Sequence, residues 1–177
     1  MCKFRTLRAD EIDVRVQQVA GNSKGVFAML LLYKDARVDM AMLDEAFGVF
    51  GWQREHSFKD GRNYCKVSIF NPNTNSWVAK EDVGVESNTE AEKGQASDAF
   101  KRACVNIGIG RELYTAPKIV VTLNEKDYKE VTDKFGNKTY KMNNWVKFRV
   151  AVIEYSDNRS ISKLTITDQN HNIRYSL

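Results

Sequence analysis

The sequence holds only two prolines, two histidines and three cysteines in 177 residues. Scarce proline together with 42% hydrophobic residues excludes a disordered tail and leaves enough apolar surface for a core. A membrane helix needs about 18 consecutive apolar residues, and the longest apolar stretch, Val26 to Tyr33, has only the length of a strand. The start, Met1-Cys2-Lys3-Phe4-Arg5, has neither the apolar segment nor the cleavage site of a secretory signal. The expected location is therefore cytoplasmic, with no membrane partner. Cys2, Cys65 and Cys104 lie far apart without a CxxC pair, and the histidines are His56 and His171. A zinc site needs about four closely spaced soft ligands, so the cysteines read as small, reduced hydrophobes and no metal is expected.

Catalytic motifs are missing as well. A phosphate-binding loop requires GxxxxGK followed by Ser or Thr, and Gly21 to Gly25 does not supply it. Neither histidine sits in a recognisable Ser–His–Asp setting. No cofactor is expected, and the chain is not expected to be an enzyme.

What is present begins with charge. The net charge is +4, a mild pull toward a polyanion. Residues 1–117 carry 16 Lys and Arg against 16 Asp and Glu, whereas residues 118–177 carry 11 against 7. The whole surplus thus lies in the last third. No internal repeat, low-complexity segment or linker occurs, and the length suits one domain.

Periodicity and turn residues divide the chain. Ile12, Val16 and Val19 have the spacing of a short amphipathic helix over Ala9 to Ala20, although Ile12, Val14 and Val16 also fit a strand. Gly21 to Gly25 is a turn, and Val26 to Tyr33 reads as a buried strand. Val38 to Phe47 suits a helix with Val38, Met42, Ala46 and Phe47 on one side and Gly48 as its stop. Three strands follow: Trp52 to Lys59, Asn63 to Phe70 after the hairpin signal Asp60-Gly61, and Trp77 to Val85 after Asn71-Pro72-Asn73-Thr74-Asn75. Thr89 and Glu92 then make a capping box for a helix whose apolar stripe is Ala96, Ala99, Phe100, Ala103 and Ile107, ended by Gly108 and Gly110. Beyond Pro117 the pattern is β again. Ile119 to Leu123, a hairpin tip at Asp133 to Asn137, Trp145 to Glu154 pairing with Ile161 to Asp168 around Ser156-Asp157-Asn158, and a short edge at Ile173 to Ser176 are expected. The class is α+β, with a core over 1–117 and a β-rich extension over 118–177 in the same domain.

Three groups of residues could carry chemistry. Lys93, Ser97 and Lys101 recur every four residues on one helix face, with Arg102 beside it. Such a face could grip phosphates without regard to sequence, or simply be solvated. Trp52, Trp77 and Tyr64 could stack bases or fill a twisted sheet. Glu81, Asp82 and Glu86 could hold magnesium in a metal-dependent nuclease, but no lysine lies two residues after Glu86. Acidic residues before a helix also have an ordinary role.

Several motifs agree in order and spacing with one superfamily. They are Ala36-Arg37-Val38; Ala46-Phe47-Gly48-Val49-Phe50-Gly51-Trp52; Glu81-Asp82-Val83-Gly84; Glu90 to Gly94; Ala96-Ser97-Asp98-Ala99-Phe100-Lys101-Arg102-Ala103; and Gly108-Ile109-Gly110-Arg111-Glu112-Leu113-Tyr114. The stretch 26–117 resembles the Rad fifty-two superfamily and its phage Sak-type single-strand annealing proteins, with phage and prophage members nearest in likeness. The resemblance implies a curved antiparallel β-meander crossed by a long helix, a β-β-β-α core. It also implies ATP-independent binding and annealing of single-stranded DNA by a ring or helical homo-oligomer, in recombination or phage DNA repair. Lys101 and Arg102 match family positions that contact the DNA backbone in an inner groove, Arg37 matches another, and Lys93 lies close to a basic family position. Lys66 and Arg62 on the central hairpin are further DNA-binding candidates by their charge. Family members often carry more lysines where this chain has Glu86 to Glu92, so the likeness does not extend to a second, outer DNA site. A phage exonuclease or a single-strand binding protein is a candidate partner. The rival readings are the nuclease and a scaffold that binds DNA ends or loads a recombinase without annealing.

Overall fold

Alternating apolar residues and well-placed turn chemistry make this an α+β chain. The computed structural model describes residues 4–85 and 91–177, the side chains of 91–93 excepted. Among the described residues the order is β1 (Asp13–Asn22), β2 (Gly25–Tyr33), α1 (Ala36–Phe47), β3 (Trp52–Lys59), β4 (Arg62–Asn71), β5 (Ser76–Val83) and α2 (Ala91–Ile107). There follow β6 (Ile119–Thr122), β7 (Tyr128–Thr132), β8 (Lys138–Met142), β9 (Phe148–Tyr155), β10 (Ile161–Asp168) and β11 (Ile173–Ser176). No helix among the described residues is long and apolar enough to cross a membrane. The chain packs as two units, one of residues 4–6 and 34–111, the other of residues 7–33 and 112–177. Within the second unit β1 pairs with β9 and β2 with β6.

The first unit is the antiparallel meander β3-β4-β5 with α1 and α2. Lys59 pairs with Arg62 across Asp60 (φ 50°) and Gly61 (φ 73°), the two left-handed residues of a type I′ hairpin. Strand alternation sends Cys65 and Val67 to the face that α2 covers, where they are fully buried with Ala99, Phe100, Ala103 and Cys104. Burying the Phe100 ring alone contributes about 2–3 kcal/mol. The helix stripe is rotated slightly from the expected one: Gln95 and Cys104 join it, while Ala96 and Ile107 are only half-buried. Gly84 has a steric reason, since a Cβ there would stand 2.0 Å from the Gln95 carbonyl oxygen. A side chain at the exit of the meander would push the helix away. The C-terminus of α2 is a Schellman motif, with Ile109 N–H on the Cys104 carbonyl (3.0 Å), Gly108 N–H on that of Val105 (3.0 Å) and Gly108 at φ 115°. Arg111 then donates to the carbonyls of Val105 (2.8 Å) and Asn106 (2.6 Å). The Thr89–Glu92 capping box lies outside the described residues.

In α1 the Asp35 carboxylate caps the helix by accepting from Arg37 N–H at 2.8 Å. Its buried residues are Asp39, Met42 and Leu43; of the expected Val38, Met42, Ala46 and Phe47, Met42 is buried and the other three are half-buried. A charged residue can be buried there because Lys34 is buried beside it as its ion-pair partner.

The second unit is a six-stranded antiparallel sheet in the order β11-β10-β9-β1-β2-β6, with β7-β8 as a separate hairpin. The helix expected at Ala9 to Ala20 is only a single 3₁₀ turn at Ala9–Glu11; Asp13 onward is strand. A bulge between Val16 and Gln18 explains the misleading spacing. It inserts one residue, so Val14, Val16 and Val19 stay on one face with a three-residue step that imitates a helix. The apolar run in β2 is buried on one face only: Val26, Ala28 and Leu30 point inward, while Leu31 and Tyr33 are exposed. The sheet curls until its two ends meet, where Arg174 of β11 donates to the Thr122 carbonyl of β6 at 2.7 Å. Two buried charge clusters lie within this unit. Glu112 accepts from Leu7 N–H (2.8 Å) and Arg159 (3.4 Å), and Arg174 bridges Asp127 (3.0 Å) and Asp168 (3.3 Å).

Candidate nucleic-acid interface

The inward stripe of α2 dictates what faces solvent. Lys101 is half-buried and Arg102 exposed, and successive helical side chains diverge by about 100°. They therefore serve different flanks. The positive charge of Lys101 acts on Asp39 of α1, whose carboxyl burial pushes up to about 6 against the opposing pull of Lys34 and Lys101. Arg102 donates from Nε to Asp98 Oδ2 at 2.8 Å, and the same oxygen accepts from Val85 N–H at 3.0 Å. Asp98 thus ties the strand exit to the helix and orients the guanidinium, through an exposed pair that contributes little to stability.

Arg37 stands at the start of α1, 88% exposed, 3.4 Å from Asp35. Lys66 and Arg62 alternate with Cys65 and Val67 along β4, so they project from the sheet face opposite α2. Lys66 lies 2.6 Å from Glu55 and pairs in register with Glu81, and the hydrogen bond and charge of Glu55 raise its pKa first, that of Glu81 further. Arg37 thus lies on α1 and Lys101 and Arg102 on different flanks of α2, the helix packed against it, whereas Lys66 and Arg62 project from the other side of the meander. Lys93 lies in α2, with its side chain outside the described set.

Arg54 was not singled out by motif. It shares the α2-facing side of β3 with Trp52, is exposed, and holds its guanidinium 4.9 Å from the Phe100 ring centroid. Counting two residues along the strand from Trp52 would have found it. Trp52 itself is structural: its indole donates to Asp44 at 2.7 Å and stacks on Phe100 at 6.1 Å. Trp77 is 45% exposed and meets Phe70 edge-on at 5.5 Å, and Tyr64 lies under the Lys59 ammonium at 5.7 Å.

Asp82 accepts from Val83 N–H (2.7 Å) and Asn106 (2.9 Å), and Glu86 lies outside the described residues. Among the described residues no group of three or more His, Cys, Asp or Glu could hold a metal ion. Burial pushes the Cys65 thiol up to about 11 and that of Cys104 further, with Asp39 adding to the latter. Both are core groups with little thiolate character; Cys2 is outside the described residues.

The three-stranded meander crossed by α2, which bears half-buried Lys101 and exposed Arg102, is an arrangement that comparison with known families also finds. Residues 5–132 match the Rad52/22 family double-strand break repair protein, and the chain belongs to that family. A relative of known name, the single-stranded DNA-binding protein DdrA of Deinococcus radiodurans, is 38% identical over 101 residues. That match covers 56% of this chain and 47% of the relative, so the chain spans about half the length of the curated relative it matches.

Proposed function

We propose that this chain binds single-stranded DNA and anneals complementary strands in recombination or repair, without ATP and without a covalent step. The observation that carries this is the family match over residues 5–132, which spans the meander and α2 with its half-buried Lys101 and exposed Arg102. The name of the Deinococcus relative supports the choice of ligand. Copies of the chain line up in a ring or helix, each contributing Arg37, Lys101 and Arg102 to one positive groove. Neutralised phosphates let the strand lie extended with its base edges outward. A second strand tests register against them, and the free energy of annealing comes from base pairing.

Mixing two labelled complementary oligonucleotides with the full chain tests the reading. Duplex formation accelerated in EDTA and without nucleotide is the expected result. Binding without acceleration contradicts annealing and favours a scaffold, and metal-dependent cleavage contradicts a non-enzymatic role.

A further inference from the structure

The β7-β8 hairpin sorts its side chains by face. On one side Tyr128 and Tyr140 meet edge-on at 5.5 Å, and Lys138 pairs with Glu130 at 2.9 Å. Tyr140 presses on β1, where a Cβ at Gly21 would stand 2.4 Å from its ring. The other side carries Lys129 directly opposite Lys141, both exposed. Neither makes an ion pair among the described residues. Like charges facing each other across a ladder are unfavourable, and no carboxylate of the hairpin shares their face.

Beside this pair the chain turns through Asn143 to Trp145. The turn is held by Asn143 N–H on the Asp127 carbonyl (2.9 Å), Asn143 Nδ2 on that of Lys126 (2.8 Å) and Val146 N–H on that of Asn143 (3.1 Å). Val146 is buried, which anchors the turn and leaves the Trp145 indole 49% exposed. Lys129, Lys141, Met142, Asn143, Asn144 and Trp145 line one recess of about 170 Å³. Half-exposed indole next to two unneutralised ammonium groups is the pairing of stacking platform and cation that single-stranded nucleic acid requires.

We infer that this recess is a strand-binding site, with Lys129 and Lys141 on adjacent phosphates and Trp145 stacked on an unpaired base. The inference rests on the proposed single-strand binding and adds a contact in the segment that carries the charge surplus. An unpaired base is favoured over duplex because its face is free to stack, and over an acidic peptide because the aromatic plane then has a partner.

The test is equilibrium binding of a fluorescein-labelled oligothymidylate to the full chain over a salt series. Each phosphate contact to a single strand contributes a log–log salt slope of about −0.7, so Lys129→Ala with Lys141→Ala should flatten the slope by about 1.4 and lower affinity roughly tenfold or more. Trp145→Ala should weaken binding roughly tenfold with the slope unchanged. Trp145→Phe should retain most affinity while losing part of the tryptophan quenching that DNA causes in the unmodified protein. The three side chains are exposed, and unchanged melting temperatures would exclude misfolding as the cause. Unmodified protein that binds while the lysine variant keeps its full slope and the Trp145 variants keep affinity and quenching overturns the hairpin site alone. Unmodified protein that does not bind oligothymidylate overturns both this site and the proposed function.

Discussion

The two units differ in where their candidate cations and their buried ions lie. The unit around the meander carries 12 Lys and Arg against 12 Asp and Glu, and the unit around the curled sheet 14 against 11. In the meander unit the candidate cations sit beside acids: Arg37 by Asp35, Lys66 by Glu55, Arg102 by Asp98. Its interior is apolar apart from a few polar groups, chiefly the Lys34–Asp39 pair. In the sheet unit the interior carries the ionic clusters of Glu112 and of Arg174, while Lys129 and Lys141 stand outside without acids. Pairing at the surface orients a cation at little energetic gain. Pairing in the interior is a structural commitment, because removing one partner strands the other.

The largest test of that contrast is Arg174→Ala. Asp127 and Asp168 are nearly inaccessible, and Arg174 also joins β11 to β6. Its loss should destabilise the protein by about 3–5 kcal/mol, read as a lower denaturation midpoint; a change within 1 kcal/mol would mean that the cluster is not structural.

Asp39 gives the next effect. It keeps its proton to about pH 6 in the folded protein, against an ordinary value of 3.8. The folded state therefore binds more protons between about pH 4 and 6, and stability from this group falls as pH rises through that window, by about 3 kcal/mol in all. Denaturation at pH 4, 5, 6 and 7 should show the wild type losing that much relative to Asp39→Asn. A pH-independent difference would place the ionised carboxylate at no disadvantage in the core. The smallest effect concerns the hairpin: Lys129→Glu, by replacing a like-charge pair with an opposite one, should raise stability by a few tenths of a kcal/mol. A loss would mean that the lysines do not face each other.

Much of this architecture was legible because local chemistry and tertiary structure agree. Asp60-Gly61 can hardly be other than a hairpin turn, and Gly108 ends α2 where it was expected. The failures are equally physical. The bulge in β1 gave strand residues a helical step, and the burial of Asp39 in α1 was hidden because it rests on Lys34, a partner outside the helix. The proposed site rests on motifs, which single out Lys101, Arg102 and Arg37. Two candidates picked by charge, Lys66 and Arg62, share no motif, and strand parity puts them on the far face. Lys129, Lys141 and Trp145 had no motif to announce them, since their grouping depends on hairpin register.

The central claim is that α2 presents the cations on which annealing depends. Its most direct test is the rate at which full-length Lys101→Ala, Arg102→Ala protein anneals complementary oligonucleotides, with its melting temperature shown to match the wild type. The expected rate is at least about tenfold below wild type, consistent with the loss of two phosphate contacts. Annealing at the wild-type rate by that folded variant would contradict the account.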